Sequence, residues 1–115
     1  MQLDRLKRLA LSLPHATVVK QWGEHLVFKV GGKMFLILGL DCELVEQTFF
    51  KVTPANYKRL TDIDGIIPAP HLARASWVAV EDFDALPADE LETLIRESYA
   101  LVFAALSKKL RGTLG

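Results

Sequence analysis

Leu3, Leu6, Leu9 and Leu13 recur at three- and four-residue spacing, with Ala10 on the same stripe and Asp4, Arg5, Lys7 and Arg8 opposite. This period predicts an opening amphipathic helix, stopped by Pro14. Three apolar runs follow, Ala16–Trp22, His25–Val30 and Lys33–Leu38, parted by Gly23-Glu24 and by the hairpin signal Gly31-Gly32. A fourth run, Leu44–Val52, comes after a turn over Gly39–Glu43. In His25–Val30 the alternation assigns Leu26, Phe28 and Val30 to one face and Val27 and Lys29 to the other.

Thr53-Pro54 reads as an N-cap followed by proline at the first helical position, opening a short helix to Leu60 with Tyr57 and Leu60 inward. The stretch Asp62–Arg74, with Gly65, Pro68 and Pro70, reads as an ordered connector, and Ser76–Val80 as a fifth strand. Leu86-Pro87 opens one long final helix whose buried stripe is Leu91, Leu94, Ile95, Val102, Ala105 and Leu106. Asp89 and Glu90 at its start and Lys108, Lys109 and Arg111 at its end complement the helix dipole, with Gly112 as C-cap. The fold expected is α+β: a two-layer sandwich of about five antiparallel strands with both terminal helices on one face.

Length and composition narrow the class without naming a function. At 115 residues, half of them hydrophobic, the chain is read as one domain over 1–115. The single Cys42 excludes an intramolecular disulfide and fits a reducing cytoplasm. No run is apolar enough to span a membrane, and the first residues read as the mature start of a cytosolic protein.

Catalytic and metal chemistry find little footing. His15, His25 and His71 lack a second ligand at metal spacing, so no metal and no other cofactor is expected. Cys42 stands between Asp41 and Glu43, which disfavour a thiolate, and no serine has a nucleophile context. Gly31-Gly32-Lys33 is too short for a phosphate loop, and a strand follows it instead of a helix. The acids from Glu81 to Glu92 lack the glycine and the ligand positions of a calcium loop. No catalytic residue is assigned, and the chain is read as a non-enzyme.

The balance of fourteen bases and fourteen acids hides an uneven distribution. Residues 1–60 carry net +4, residues 61–97 net −7, and residues 98–115 net +3. Lys20, Lys29, Lys33 and Lys51 fall in or beside strands and alternate with Trp22, Phe28, Phe35 and Phe50. The pattern permits a basic, partly aromatic surface for nucleic acid. It equally describes four solvated lysines that discourage edge pairing.

Several segments together resemble the MmcQ/YjbR family. They are Leu11-Ser12-Leu13-Pro14-His15-Ala16-Thr17 with Trp22-Gly23, Leu26 through Phe35, and Phe50-Lys51-Val52-Thr53-Pro54. Ile66 through Arg74 with Trp77-Val78, and Glu97-Ser98-Tyr99 in the last helix, complete the resemblance. It implies a bacterial protein with a compact fold of the CyaY (bacterial frataxin) type, and DNA binding by a double-wing arrangement of hairpins. Three positions depart from the pattern: His71 stands where an aromatic is usual, Arg74 where lysine is common, and Ser76 where histidine is common. Iron handling does not carry over with the fold, because the first helix offers only Asp4 among Arg5, Lys7 and Arg8.

Two functions follow as expectations. In the first, Lys20, Lys29, Lys33, Lys51 and Arg74 contact DNA phosphates, with Trp22 and Trp77 as aromatic contacts. Lys33 would then project from a hairpin wing at Gly31-Gly32. In the second, Trp22, Trp77 and the Pro68–Arg74 connector form a pocket or docking surface of a small adaptor that binds a ligand or a protein. Large aromatics are usually buried, so the core claims both tryptophans first. A monomer is expected in either case.

Overall fold

The computed structural model describes residues 3–42 and 44–114. Glu43, expected beside Cys42, lies outside them, as do Met1, Gln2 and Gly115 at the ends. Helix α1, Leu3–Ser12, buries Leu6, Leu9 and Ala10. Strands β1 (Thr17–Gln21), β2 (His25–Val30), β3 (Lys33–Asp41) and β4 (Leu44–Lys51) then run as an antiparallel meander. Helix α2, Pro54–Thr61, begins as its sequence dictates: Thr53 Oγ1 accepts the Asn56 N–H at 3.2 Å, and proline takes the first turn.

The sheet has six strands, one more than the sequence pattern predicts. The connector contributes β5, Ile66–Pro68, which pairs antiparallel with β6, Trp77–Val80, and the order is β1-β2-β3-β4-β6-β5. A three-residue strand ending in proline belongs at a sheet edge, where no ladder partner is lost. The helices cover one face. Between the layers sits the main core, with Phe28, Val30, Phe35, Leu36, Leu38 and Phe50 from the sheet. Leu6, Leu9, Leu60, Leu91, Leu94 and Ile95 enter it from the helices.

The β2–β3 ladder is interrupted at one point. Its register passes from Phe28↔Leu36 to Lys29↔Met34, so Phe35 is an extra, bulged residue. Phe35 and Leu36 therefore both enter the main core.

The final helical segment is broken, where the sequence predicts continuity. Helix α3 spans Ala88–Ala104 and α4 spans Lys108–Leu114. Ser107 supplies a new N-cap, its Oγ accepting the Leu110 N–H at 3.2 Å. A serine hydroxyl competes with helical backbone bonding and favours such a cap. Lys108 and Lys109 thus open α4, α3 has no basic residue in its last turn, and Gly112 is interior to α4. Ala105, assigned to the buried stripe, is exposed, while Leu106 is buried at the break. A Cβ on Gly31 would lie 2.7 Å from Leu106 Cδ1 and 3.2 Å from Leu110 Cδ2. The hairpin tip is therefore packed beneath the break and does not stand out as a free wing.

Thr48 is a local exception to good packing. Its hydroxyl is buried without a hydrogen-bond partner, on a strand position flanked by Leu38 and Val80. Thr48→Val keeps the shape and removes the unpaired group. It is expected to stabilise the fold by about 1 kcal/mol, read as a rise of a few degrees in the thermal midpoint. A lowered midpoint would mean that the hydroxyl has a partner.

Candidate functional site

The face of the sheet away from the helices is apolar over much of its area. Val27, Ile37, Ala69, Trp77 and Ala79 form a second buried cluster there, with Met34, Phe49, Ile67 and Leu72 packed against it. Strand register arranges this face in rows. The middle row is Val19, Val27, Ile37, Phe49, Ala79 and Ile67. On one side lie His25, Gly39 and Gln47 in register. On the other side, Lys29 stands opposite Met34 and Lys51 opposite Trp77.

A cleft of about 410 Å³ opens on this face, lined by Trp22, His25, Met34, Ile37, Gln47, Phe49 and the connector residues Pro70, His71 and Leu72. Its two walls share a backbone feature. Trp22 (φ 49°) and His71 (φ 66°) both hold left-handed conformations that non-glycine residues adopt at a cost. The positive φ at Trp22 belongs to the β1–β2 turn and leaves its indole 62 % exposed, against 4 % for Trp77. Aromatic burial thus describes Trp77 and fails for Trp22.

His25 is oriented from behind. Its Nδ1 lies 3.0 Å from the Trp22 carbonyl, which can only accept, so Nδ1 is the donor of this contact and Nε2 is left on the ring's other edge, above Gly39. The ring stands above Gly39, where a Cβ would sit 3.5 Å from Nε2. Its centroid is 6.4 Å from those of both Trp22 and Phe49. Gln47 is fixed by donating its Nε2–H to Glu81 Oε2 at 2.7 Å. The cleft therefore combines an aromatic floor and wall with a few anchored polar atoms, the usual make-up of a small-molecule site.

The candidate cations are divided between the two faces. Lys20 lies two residues from Val18 and shares its face, which packs on the main core, so it lies on the helix side, and it pairs with Glu24 at 3.3 Å. Lys29 and Lys51 share the open face. Lys33 and Lys51 line a second groove of about 240 Å³ with Met34, Trp77, Val102 and Ala105. No carboxylate among the described residues pairs with Lys29, Lys33 or Lys51. Arg74 is exposed in the 3₁₀ turn just before β6. Among the described residues there is no cluster of His, Cys, Asp and Glu that could hold a metal ion. No helix among them is long and apolar enough to cross a membrane.

The sequence pointed to Trp22, Trp77 and the Pro68–Arg74 connector as pocket walls; Trp22 and Pro70 to Leu72 of the connector line the cleft, whereas Trp77 is buried in the cluster and does not. That connector contains His71, but nothing in the sequence singled out His25 or Phe49, which join the cleft only through strand register.

Comparison with known proteins agrees with this architecture. The family model described as YjbR matches residues 11–101. The crystal structure of Deinococcus radiodurans protein DR2400, which carries the family-model domain DUF419, superposes with a TM-score of 0.86 at 31 % identity, covering 99 % of this chain and 88 % of that one. A protein from Pseudomonas syringae shares the fold with a TM-score of 0.69 at 21 % identity, covering 89 % of this chain and 99 % of that one. Comparison with the curated proteins gives no match.

Proposed function

The chain belongs to the YjbR family, and from that premise we propose that it is a non-enzymatic binding module whose cleft at Trp22 and His71 holds a small, flat, apolar ligand. The observation that carries this reading is the 410 Å³ cleft itself, with an exposed indole on its rim and Phe49 and Ile37 beneath. An indole so exposed gains little for folding, whereas a ring stacked against it would gain dispersion and desolvation. A reducing, cytoplasmic setting belongs to the reading and is supported by the free, exposed Cys42.

DNA binding is a second reading, and it rests on different residues. It is supported by the unpaired Lys29, Lys33 and Lys51 and by the exposed Arg74. Lysines of this kind serve phosphates without reading sequence. The packed tip at Gly31 speaks against insertion of a free wing into a groove.

One pair of titrations followed by backbone amide shifts separates the two. 2-Naphthol is expected to move the amides of 22–25, 37, 47–49 and 71–72, and Trp22→Ala should weaken its binding by roughly fivefold, as loss of a stacking partner does. A DNA duplex is expected at most to perturb Lys29, Lys33 and Lys51 with affinity of about micromolar or weaker, falling steeply with salt. Absence of naphthol shifts in the cleft overturns the first reading. Absence of salt-sensitive duplex binding overturns the second.

A further inference from the structure

The cleft does not end at its apolar floor. Met34 lines both the 410 Å³ cleft and the 240 Å³ groove that contains Lys33 and Lys51, so the two concavities are neighbours on either side of this residue. Along β4, Lys51 follows Phe49 by two residues on the same face, a distance of about 7 Å. Lys29 stands opposite Met34 in the β2–β3 register. Lys33 and Lys51 thus line the groove that shares Met34 with the aromatic cleft, and Lys29 is the cross-strand neighbour of Met34, with no carboxylate partner for any of the three among the described residues. At the other end, Gln47 is held by Glu81, so the acidic side of this face is remote from the lysines along the strands.

Resting on the proposed cleft function, we infer that the ligand is an aromatic anion: a planar ring held between Trp22, Phe49 and the His71 turn, with a phosphate or carboxylate directed past Met34 toward Lys33 and Lys51. Charge complementarity selects this class over a neutral ring. Two unpaired lysines beside an apolar floor offer an anion electrostatic attraction without first breaking an ion pair. The ends of the face set the orientation as well, since an anion at the Gln47 end would meet Glu81. A ring of naphthalene or purine size with one attached phosphate spans the roughly 7 Å from Phe49 to Lys51.

The test compares 2-naphthol with 2-naphthyl phosphate on the wild-type chain and on the double variant Lys33→Ala/Lys51→Ala. The wild type should bind the phosphate ester roughly fivefold tighter than the alcohol at low salt, a preference of the size exposed ion pairs supply. The preference should shrink as salt is raised and vanish in the double variant, whose affinity for 2-naphthol stays unchanged. Equal binding of the two probes by the wild type overturns the anion inference while leaving the cleft reading intact. Failure of both probes to bind overturns the cleft reading itself. A preference for the ester that survives in the double variant also overturns the inference, since other groups would then hold the anion. Adenosine 5′-monophosphate and an eight-nucleotide single strand separate the two sources of such a group. A free nucleotide that competes with the ester as well as the strand does indicates a small-molecule ligand, whereas competition by the strand alone assigns the anion to a nucleic-acid backbone and overturns the small-ligand form.

Discussion

Phe28→Ala is expected to lower the free energy of unfolding by about 3–5 kcal/mol, the cost of truncating a buried aromatic and leaving a cavity. Phe28 is fully buried on β2, its ring centroid 6.5 Å from that of Phe35, and it faces the helices across the main core. Leu94→Ala, from the helical side of the same core, should cost about 2–5 kcal/mol. Domains of this size are stable by only about 5–15 kcal/mol in all, so either change removes a large share. Urea denaturation checks both, with midpoints falling while the slope stays near that of the wild type. Midpoints unmoved in both variants would mean that this face of β2 and this stripe of α3 do not form the core.

Elements with a clear period were legible in the sequence, and those defined by irregularity were not. The alternation in His25–Val30 assigned Phe28 and Val30 to one face and Val27 to the other, and the two core clusters divide them in that way. The connector strand Ile66–Pro68 has neither the length nor the alternation that marks a strand; it exists because β6 offers an edge. The break between α3 and α4 was written in Ser107, yet the leucines and alanines around it carry a helical period across the gap. The site was half legible. Trp22 and the connector could be named as walls, and the lysines as candidate cations. Sequence gives no warning that Trp22 and His71 adopt positive φ, nor that Lys20 falls on the face opposite Lys29 and Lys51. Side-chain period 2 makes such a division depend wholly on register.

Ser98→Ala is expected to cost about 2–4 kcal/mol, because two buried backbone groups lose their partner and each orphan costs about 1–3 kcal/mol. The cause lies in the bulge at Phe35. The β3–β4 ladder ends beside it at Leu36↔Phe50, and the fully buried Ser98 of α3 bridges the next position, Phe35 and Lys51, through its hydroxyl. Its Oγ accepts the Lys51 N–H at 2.9 Å and donates to the Phe35 carbonyl at 2.6 Å. The neighbours in Glu97-Ser98-Tyr99 tie the same helix to other elements. Glu97 Oε1 accepts from Asn56 Nδ2 on α2 at 3.2 Å, and Tyr99 donates its hydroxyl to the Pro14 carbonyl at 2.6 Å. Burial pushes the Tyr99 phenol above its usual range, the direction that favours the protonated donor of this tether. These three residues fasten α3 to α2, to the sheet and to the turn after α1, and they lie away from the cleft. Ser98→Ala should therefore lower the urea midpoint and speed hydrogen exchange at the Lys51 amide, while 2-naphthol binding by the folded protein is kept. Lys51 also begins the basic end of the open face, so loosening its backbone should weaken the preference for 2-naphthyl phosphate more than the binding of the ring. An unchanged exchange rate at Lys51 would show that the serine does not complete the ladder.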